Sequence, residues 1–294
     1  MKEIDISRYQ VTDTVKLQNR STFENFEKTD KQLKKSLKLV SKDLADFQDT
    51  LYAHGKYSVL VCLQGMDTAG KDSLIREVFK ELNARGVVVH SFKVPSKLEL
   101  KHDYLWRHYI ALPERGKFSV FNRTHYENVL VTKVHPQYII GENIPGINDV
   151  SDINDEFWEN RYRQINDFER HIVENGTIIF KFFLHLSKEE QRQRLLRRLQ
   201  LKQKNWKFSP GDLEERKLWD RYQECYEEAI NKTSKPHAPW YIIPADNKKA
   251  ARVVVASILH QSLKKRKDVK EPKLDNEITT NLETFKQQLE KENE

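Results

Sequence analysis

The stretch Ser58-Val-Leu-Val-Cys-Leu-Gln-Gly-Met-Asp-Thr-Ala-Gly-Lys-Asp72 decides the fold. Its first part, Ser58–Leu63, is an almost unbroken apolar run, as is typical of a strand buried on both faces of a parallel sheet. Its second part, Gly65–Lys71, is a G-x-x-x-x-G-K pattern that leads into a helical pattern at Ser73–Asn83. A strand before and a helix after are the context in which this pattern forms a phosphate-binding loop. The sequence therefore predicts backbone N–H groups and Lys71 gathered around phosphate at a helix N-terminus.

The rest of the chain alternates in the same way between apolar runs and helical patterns. Further strands are predicted at Val87–Phe92, Ser119–Phe121, Thr177–Leu184 and Trp240–Ile243. Helical patterns follow or separate them at Glu99–Ala111, Asp155–Glu174 and Lys248–Lys264. Such alternation predicts an α/β fold in three layers (α/β/α), with a parallel five-stranded sheet in the middle.

Two flanking segments and a lid complete the predicted organisation. Residues 55–266 form the α/β core, and two very charged helices in 187–232 form a helical lid on it. Residues 1–54 are an N-terminal helical extension, with an apolar stripe in its helical pattern Thr29–Tyr52. Residues 267–294 are a polar C-terminal tail, expected to be helical, with a shorter stripe at Leu282–Leu289. Both stripes fit a homo-oligomer, and docking within the chain explains them equally well.

The bulk composition favours a cytoplasmic protein with an anionic partner. The 294 residues include 51 Lys and Arg against 44 Asp and Glu, a formal net charge of +7. We find no apolar run near the ~20 residues of a membrane span and no signal-peptide pattern. Cys62 and Cys225 lack the C-x-x-C spacing of a redox or metal site. No DNA- or RNA-recognition motif accompanies the charge, so we expect neither a nucleic acid nor a membrane as partner.

The predicted phosphate-binding loop departs from the common form at two positions. Asp72 stands where Ser or Thr usually offers a hydroxyl to magnesium, and Ser73 comes one residue late. The loop also carries an acid, Asp67, which we expect to bind magnesium, directly or through water, or to activate the attacking phosphate. The alternative is a turn-forming aspartate that bonds its own backbone. The predicted phosphate contacts here are Gly65, Ala69, Gly70, Lys71, Asp72 and Ser73.

A second predicted site segment, Phe121-Asn-Arg-Thr-His-Tyr-Glu127, follows the third strand. Many P-loop kinases have a magnesium-binding aspartate where this chain has the neutral Asn122. Arg123 is expected at the carboxyl edge of the sheet, where ligands of open α/β folds bind. Glu127 is a candidate to return the missing negative charge to the metal. For His125 we favour positioning or packing over acid–base catalysis, because transfer between phosphates needs no proton abstraction.

Two basic stretches are predicted to form a cationic channel on both sides of the loop. The first is a helix capped by Ser187, in which Arg194, Arg197 and Arg198 recur on one face and Lys202 extends the row. Arginines of such a lid would neutralise phosphate charge and exclude water; the alternative is a solvated surface helix. The second stretch, after the second strand, contains Lys97 and Lys101. So much positive charge suits a long polyanion.

Several of these blocks together resemble the polyphosphate kinase 2 family, within the thymidylate-kinase-like P-loop kinases. The resemblance covers about residues 22–262. The matching blocks, in order, are Leu63–Asp72, Val120–Val129, Phe168-Glu-Arg with Gly176–Gln191, Trp206–Asp212 and Ala238–Lys248.

The resemblance implies reversible, magnesium-dependent transfer of a phosphoryl group between inorganic polyphosphate and purine nucleotides. It matches Asp67, Lys71 and Arg123 to catalytic positions, and it places the lid arginines and Asp212 in the lid. The candidate metal ligands are Asp67, Glu127 and Asp212. The candidate nucleotide-binding residues are Asn122, Arg123, Asp246 and Lys248. Asn122 with the following His-Tyr-Glu resembles the subgroup that accepts both nucleoside mono- and diphosphates, AMP and ADP above all, with GMP and GDP as further acceptors.

Two other functions stay open at this point. An ATP-dependent nucleoside-monophosphate kinase of the same fold would use ATP alone as an efficient donor; Asp67 in the loop and the excess basic surface argue against it. A nucleic-acid-binding protein without enzymatic activity would bind oligonucleotides in a strongly salt-dependent way.

Overall fold

The computed structural model describes residues 4–292, so the outermost parts of the two predicted flanking segments, 1–3 and 293–294, lie outside it. A five-stranded sheet with the order β2-β3-β1-β4-β5 runs through the described residues, and every pair of neighbouring strands is parallel. The strands are β1 Ser58–Gln64, β2 Val87–Ser91, β3 Phe118–Asn122, β4 Thr177–His185 and β5 Trp240–Pro244. Each of the five strand predictions is confirmed to within one residue at either end.

The helices cover both faces of this sheet. They are α1 Asp30–His54, α2 Lys71–Val78, α3 Trp106–Tyr109, α4 Val131–Val134, α5 Gln137–Ile140, α6 Asp155–Glu174, α7 Lys188–Gln200, α8 Lys202–Asn205, α9 Gly211–Lys217, α10 Trp219–Thr233, α11 Lys248–Lys264 and α12 Asn276–Lys291. The long helix α1 begins at a reciprocal capping box between Thr29 and Gln32 and ends at Gly55 in the left-handed conformation.

Alternation along the strands divides the core into two layers of side chains. Val59, Val61 and Leu63 of β1 pack with α1, α2 and α11 on one face. Leu60 and Cys62 point to the other face, where α6 lies. Strands buried on both faces need helices on both sides, and the predicted three-layer α/β/α fold with a parallel sheet is confirmed.

Two helix predictions were wrong in extent. Helix α2 ends at Val78 rather than Asn83, because side chains of α1 bind the backbone beyond it. Ser41 donates to the Val78 carbonyl, and Gln48 makes two hydrogen bonds with the backbone of Asn83. The predicted helix Glu99–Ala111 is broken into a single turn at Glu99–Lys101 and the short α3. The Asp103 carboxylate accepts from the Leu105 N–H, a local turn that competes with the helix.

The lid region also differs from its prediction. Instead of two charged helices, residues 187–232 contain α7, α8, α9 and most of α10, which begins at Trp219. The predicted cap is present, since the Ser187 hydroxyl accepts from the Glu190 N–H at 3.1 Å. Helix α12 occupies the C-terminal tail, and its apolar side chains Ile278, Leu282, Phe285 and Leu289 are all exposed.

The carboxyl ends of the strands bring the predicted site segments to one edge of the sheet. The loop after β1, the segment after β3, the start of α7 after β4 and the loop after β5 all lie at this edge. This is where open α/β sheets bind ligands. Within residues 4–292, none of the helices combines the length and the apolar character that crossing a membrane requires.

Candidate active site

The phosphate-binding loop is shaped by residues with positive φ. Gly65 has φ +150°, and a side-chain carbon there would lie 3.0 Å from the Leu184 carbonyl oxygen, so no larger residue fits. Gly70, at φ +106°, precedes α2 directly. Between them Thr68 has φ +67°, a conformation that is uncommon for a residue with a side chain. The turn therefore follows the predicted strand–loop–helix course, with glycine where the backbone requires it.

Lys71 lies in the centre of this loop. Its Nζ donates to the Gly65 carbonyl at 2.6 Å, and the residue is only 9% exposed. Burial, and next the positive charge of Arg123, lower the pKa of Lys71 to about 8. A phosphate anion placed against the loop would favour the charged form of Lys71 again.

Arg123 connects the segment after β3 to the loop. Its guanidinium donates to Asp67 Oδ1 at 2.8 Å and to Glu127 Oε2 at 3.1 Å. The charge of Glu127, and secondarily that of Asp67, raises the pKa of Arg123 against the effect of burial. Arg123 itself has φ +60°, so this cation is held in a strained backbone conformation at the site. Asp67, Arg123 and Glu127 thus form one group of ion pairs, and the charges of all three act on the buried Lys71.

Asn122 and Asp72, two of the positions that depart from the common pattern, contact each other. The Asn122 side-chain amide donates to Asp72 Oδ1 at 2.7 Å. The buried Oδ1 of Asn122 has no hydrogen-bond partner in the described part of the chain. The carboxylate at the start of α2 and the amide at the end of β3 thus form one polar unit, which the sequence did not predict.

The predicted lid arginines separate into two groups. Arg197 and Arg198 line the cavity in front of the loop, and Arg198 also pairs with Asp212 at 3.1 Å. Arg194 borders the same cavity but is only 7% exposed, and its guanidinium is turned to the backbone carbonyls of the loop. Burial, and next the charge of Asp67, raise the pKa of Asp212, so these two predicted magnesium ligands influence each other.

Asp246 and Lys248, predicted to border the nucleotide base, differ in availability. Asp246 uses both carboxylate oxygens within the fold, accepting from the Ser187 N–H at 2.8 Å and from the Thr22 hydroxyl at 2.7 Å. Lys248 reaches to Gly70, where its Cε would lie 3.7 Å from a side-chain carbon. Burial, and next the charge of Arg194, lower the pKa of Lys248 to about 8. Lys248 is therefore placed for phosphate, whereas the Asp246 carboxylate holds the fold together.

One cavity of about 1320 Å³ joins most of the predicted residues. The predicted residues that line it are Asp67, Gly70, Lys71, Asp72, Ser73, Asn122, Arg123, Arg194, Arg197, Arg198, Asp246 and Lys248. Among the described residues, its wall has eleven lysines and arginines against five aspartates and glutamates.

Seven predicted residues do not line the cavity. Gly65, Ala69, Glu127 and Asp212 lie just behind its wall, joined to it through Lys71, Arg194, Arg123 and Arg198. Lys97, Lys101 and Lys202 are exposed and stand outside the wall. The predicted helix Glu99–Ala111, which includes Lys101 but not Lys97, is broken, and Lys204 and Lys207 line the cavity in place of Lys202.

The comparisons with known proteins agree with this geometry. Residues 27–271 match the family model described as polyphosphate kinase 2. The chain is 47% identical over 224 residues to an ADP-polyphosphate phosphotransferase of Rhodopseudomonas palustris, covering 76% of each protein. It is also 47% identical to an AMP/ADP-polyphosphate phosphotransferase of Meiothermus ruber, covering 78% of this chain and 80% of that protein. The crystal structure of polyphosphate kinase 2 from Arthrobacter aurescens superposes with a TM-score of 0.85 at 34% identity, covering 95% of both chains.

The chain belongs to the polyphosphate kinase 2 family. This confirms the resemblance drawn from the sequence blocks, and it confirms the predicted enzyme class, a polyphosphate-dependent nucleotide kinase.

Two kinds of residue in this polyphosphate kinase 2 site were missed by the sequence analysis. Phe23 of the N-terminal segment lines the cavity and is 54% exposed, although nothing in its local pattern marks it. Gln191 of α7 donates to the Asp67 carbonyl at 3.2 Å. Gln191 could have been predicted to lie near the loop, because it stands three residues before Arg194 on a predicted helix and residues i and i+3 share a face.

His125 has the packing role that the sequence favoured over acid–base catalysis. It is fully buried, and its Nε2 lies 3.1 Å from Glu169 Oε1. Glu169 also contacts Lys181 at 2.6 Å and the Tyr126 hydroxyl at 2.7 Å. This buried network lies directly beneath the segment that carries Arg123 and Glu127.

Proposed function

We propose that this polyphosphate kinase 2 transfers terminal phosphoryl groups reversibly between inorganic polyphosphate and AMP or ADP, with GMP and GDP as further acceptors. The observation that carries the proposal is the cation-lined cavity of about 1320 Å³, which extends in front of the phosphate-binding loop to both sides. A single nucleoside monophosphate needs few cations, whereas a polyphosphate chain places a negative charge at every phosphate. We further propose that the enzyme works in the cytoplasm as a homo-oligomer.

Catalysis would rest on positioning and electrostatic stabilisation rather than on covalent chemistry. The loop N–H groups and Lys71 would hold the phosphoryl group that moves. Arg123, fixed by two carboxylates, would stabilise the negative charge on the equatorial oxygens of the transferred phosphoryl group. Arg197 and Arg198 would cover the phosphates and exclude water, so that transfer competes successfully with hydrolysis.

The donor groups present fit magnesium better than a metal that requires a complete protein cage. Within residues 4–292, no three His, Cys, Asp or Glu side chains come together as a metal-holding group. Magnesium is usually bound through one or two carboxylates together with phosphate oxygens and water. Asp67 would hold it, since its Oδ2 makes no hydrogen bond among the described residues, with Asp212 as the second carboxylate and Glu127 behind Arg123. When bound, magnesium would neutralise charge on the phosphates.

The acceptor nucleotide would lie between the segment after β3 and the loop. Asn122 lines the cavity beside Asp72, and it carries no charge that would repel an acceptor phosphate. This supports the expectation that both AMP and ADP are accepted. Phe23 supports a nucleotide in the cavity, because an exposed aromatic ring can stack on a base and contributes little to binding polyphosphate.

Product analysis tests this function. AMP and ADP are supplied separately with magnesium and polyphosphate as the only phosphoryl donor, and the nucleotides are separated by chromatography. We expect ADP and ATP from AMP, ATP from ADP, and neither product with Lys71→Ala or Asp67→Asn. Turnover that appears only when ATP is supplied would instead establish an ATP-dependent nucleotide kinase.

A further inference from the structure

Arg194 makes hydrogen bonds with every N–H group of its guanidinium. Nη1 donates to the carbonyls of Thr68 and Ala69, both at 3.0 Å. Nη2 donates to the carbonyls of Ala245 at 2.7 Å and Asp246 at 2.9 Å. Nε donates to Glu190 at 2.7 Å. A guanidinium has five N–H donors, so none remains for a phosphate oxygen.

The two loop carbonyls that Arg194 binds determine where the next N–H groups point. In a trans peptide unit the C=O and the N–H point in opposite directions. Holding the Ala69 carbonyl towards Arg194 therefore directs the Gly70 N–H away from it. Gly70 lines the cavity, and its N–H is one of those expected to bind phosphate.

A third loop carbonyl is held from the same helix. Gln191, one helical turn before Arg194, donates to the Asp67 carbonyl at 3.2 Å. Three consecutive carbonyls of the loop, those of Asp67, Thr68 and Ala69, therefore accept hydrogen bonds from α7. Both α7 side chains are nearly inaccessible, at 2% for Gln191 and 7% for Arg194. Helix α7 thus supports the loop from behind, including the strained Thr68.

Arg194 also ties the loop to two other segments. The loop after β5 supplies its other two carbonyls, and the Asp246 carboxylate in that loop binds the Ser187 N–H and the Thr22 hydroxyl. The N-terminal segment, the start of α7 and the phosphate-binding loop are therefore joined through one pair of residues, Arg194 and Asp246.

We propose that Arg194 is a positioning residue that fixes the phosphate-binding loop, rather than a lid arginine that binds phosphate. The start of α7, up to Arg194, then belongs to the fixed wall of the site. Arg197 and Arg198, farther along α7, line the cavity and are the lid arginines that remain available to phosphate. This inference rests on the proposed function, because the kcat measured in its test is that of phosphoryl transfer from polyphosphate.

The test compares three variants of α7 in the full chain. In Arg194→Met the four carbonyls lose their donor, so we expect kcat to fall about 10²-fold through misplacement of the loop. A plot of log affinity for polyphosphate against log salt concentration should keep its wild-type slope. Each lost phosphate contact would reduce that slope by about one unit, and Arg194 makes no such contact in this proposal. Arg197→Met should lower that slope instead. Arg192→Met is the matched control on the same helix, because Arg192 is exposed and its one ion-pair partner within residues 4–292 is Glu189; its kinetics should equal those of the wild type.

Further measurements separate positioning from loss of the fold. Thermal unfolding shows whether Arg194→Met is folded. Gln191→Leu removes the hydrogen bond to the Asp67 carbonyl together with the one that Gln191 accepts from Arg216, and it should lower kcat in the same direction by a smaller factor. Free guanidinium should partly restore kcat in Arg194→Ala when compared with sodium at equal ionic strength.

Two results would overturn the inference. One is a normal kcat for Arg194→Met, and the other is a salt-dependence slope reduced by about one unit, as expected for a direct phosphate ligand. If the wild-type enzyme does not use polyphosphate as a donor, the proposed function is contradicted. The role of Arg194 can still be decided in that case, from the slope of log affinity against log salt concentration for binding of inorganic tripolyphosphate.

Discussion

Arg123 Nη2 lies 2.8 Å from Asp67 Oδ1, which joins the segment after β3 to the acid of the phosphate-binding loop by an ion pair. Neither residue is near the other in sequence, and neither is fully buried, with side-chain exposures of 39% and 34%. An exposed ion pair contributes little to stability. We therefore attribute the pair to function. Arg123 holds Asp67 in place for the metal, and Asp67 holds Arg123 in place for phosphate.

Coupling between Arg123 and Asp67 can be measured by a double-mutant cycle. Removing one preorganised stabilising group from an active site typically costs about 10²–10³-fold in rate. We expect Arg123→Met and Asp67→Asn each to lower kcat/KM by that order. The double variant should be at most about tenfold worse than the poorer single one, because the two residues act as a unit. Fully multiplicative losses would show that they act separately.

A matched control for this cycle lies on α6. Arg170 and Asp167 form an exposed ion pair at 2.9 Å on a helix surface. Arg170→Met and Asp167→Asn should leave kcat/KM unchanged, alone and together.

Polyphosphate affinity is expected to fall as the pH rises from 7 to 9. Lys71 and Lys248 both have a pKa lowered to about 8, mainly by burial, so the free protein loses positive charge across this range. Each lysine that must take up a proton on binding weakens affinity by up to about tenfold per pH unit above its pKa. Calorimetric titration with polyphosphate at constant ionic strength measures this. Lys71→Arg and Lys248→Arg should each remove part of the dependence, and an affinity that is flat from pH 7 to 9 in the wild type would contradict the assignment.

The stability of the free protein should move in the opposite direction. Unfolded lysines keep their protons up to about pH 10.4, so between pH 8 and 10 the unfolded state binds more protons than the folded state at these two positions. Their contribution to the free energy of unfolding therefore rises with pH in this window. Urea unfolding at pH 8 and pH 9.5, compared between the wild type and the double variant Lys71→Met/Lys248→Met, isolates this contribution.

Removing one partner of the buried pair Lys181 and Glu169 should lower the free energy of unfolding strongly. Both side chains are fully buried and lie 2.6 Å apart. Removing one partner from a buried pair typically costs about 3–5 kcal/mol, because the other charge is left uncompensated. We expect a loss of that order for Lys181→Met in denaturant unfolding, and a smaller loss for Lys181→Met/Glu169→Leu. A double variant that is less stable than the single one would show that the network stabilises the fold through its other hydrogen bonds.

Phe23 is expected to contribute to the binding of the nucleotide but not to the binding of polyphosphate. Stacking of a base on an aromatic side chain is worth about 1–3 kcal/mol, so Phe23→Ala should raise the KM for AMP and ADP by about fivefold or more. The KM for polyphosphate should stay unchanged. Phe285→Ala on α12 is the control, since Phe285 is also exposed but does not line the cavity. Equal KM values for nucleotide in Phe23→Ala and the wild type would exclude a stacking role.

The sequence was most informative where local pattern and burial coincide. Strands such as Ser58–Gln64 are buried at every position, so their apolar runs identify them directly. The loop Gly65–Lys71 is fixed by glycine conformation and by the elements on both sides of it, which are local features too. Arg123 followed from its place at a strand end, where the topology of a parallel sheet leaves few options.

What sequence reasoning could not predict depends on contacts between distant segments. Arg194, Arg197 and Arg198 share a helix face in sequence, yet only the packing of α7 against the loop separates the buried arginine from the other two. Asp246 was expected near a base, but its partners Thr22 and Ser187 come from segments 224 and 59 residues away. In both cases tertiary hydrogen bonding overrode the local pattern. The predicted helix Glu99–Ala111 was instead interrupted by a local contact, the Asp103 turn, and neither Lys97 nor Lys101 lines the cavity.

The most direct test of the central claim follows an isotopically labelled terminal phosphoryl group from polyphosphate to AMP in a single incubation with magnesium and no other donor. We expect label to appear first in ADP and then in ATP. We also expect free phosphate to stay minor and Lys71→Met to abolish both nucleotide products. Label found only in free phosphate, or nucleotide labelling that Lys71→Met leaves intact, would contradict phosphoryl transfer at this loop.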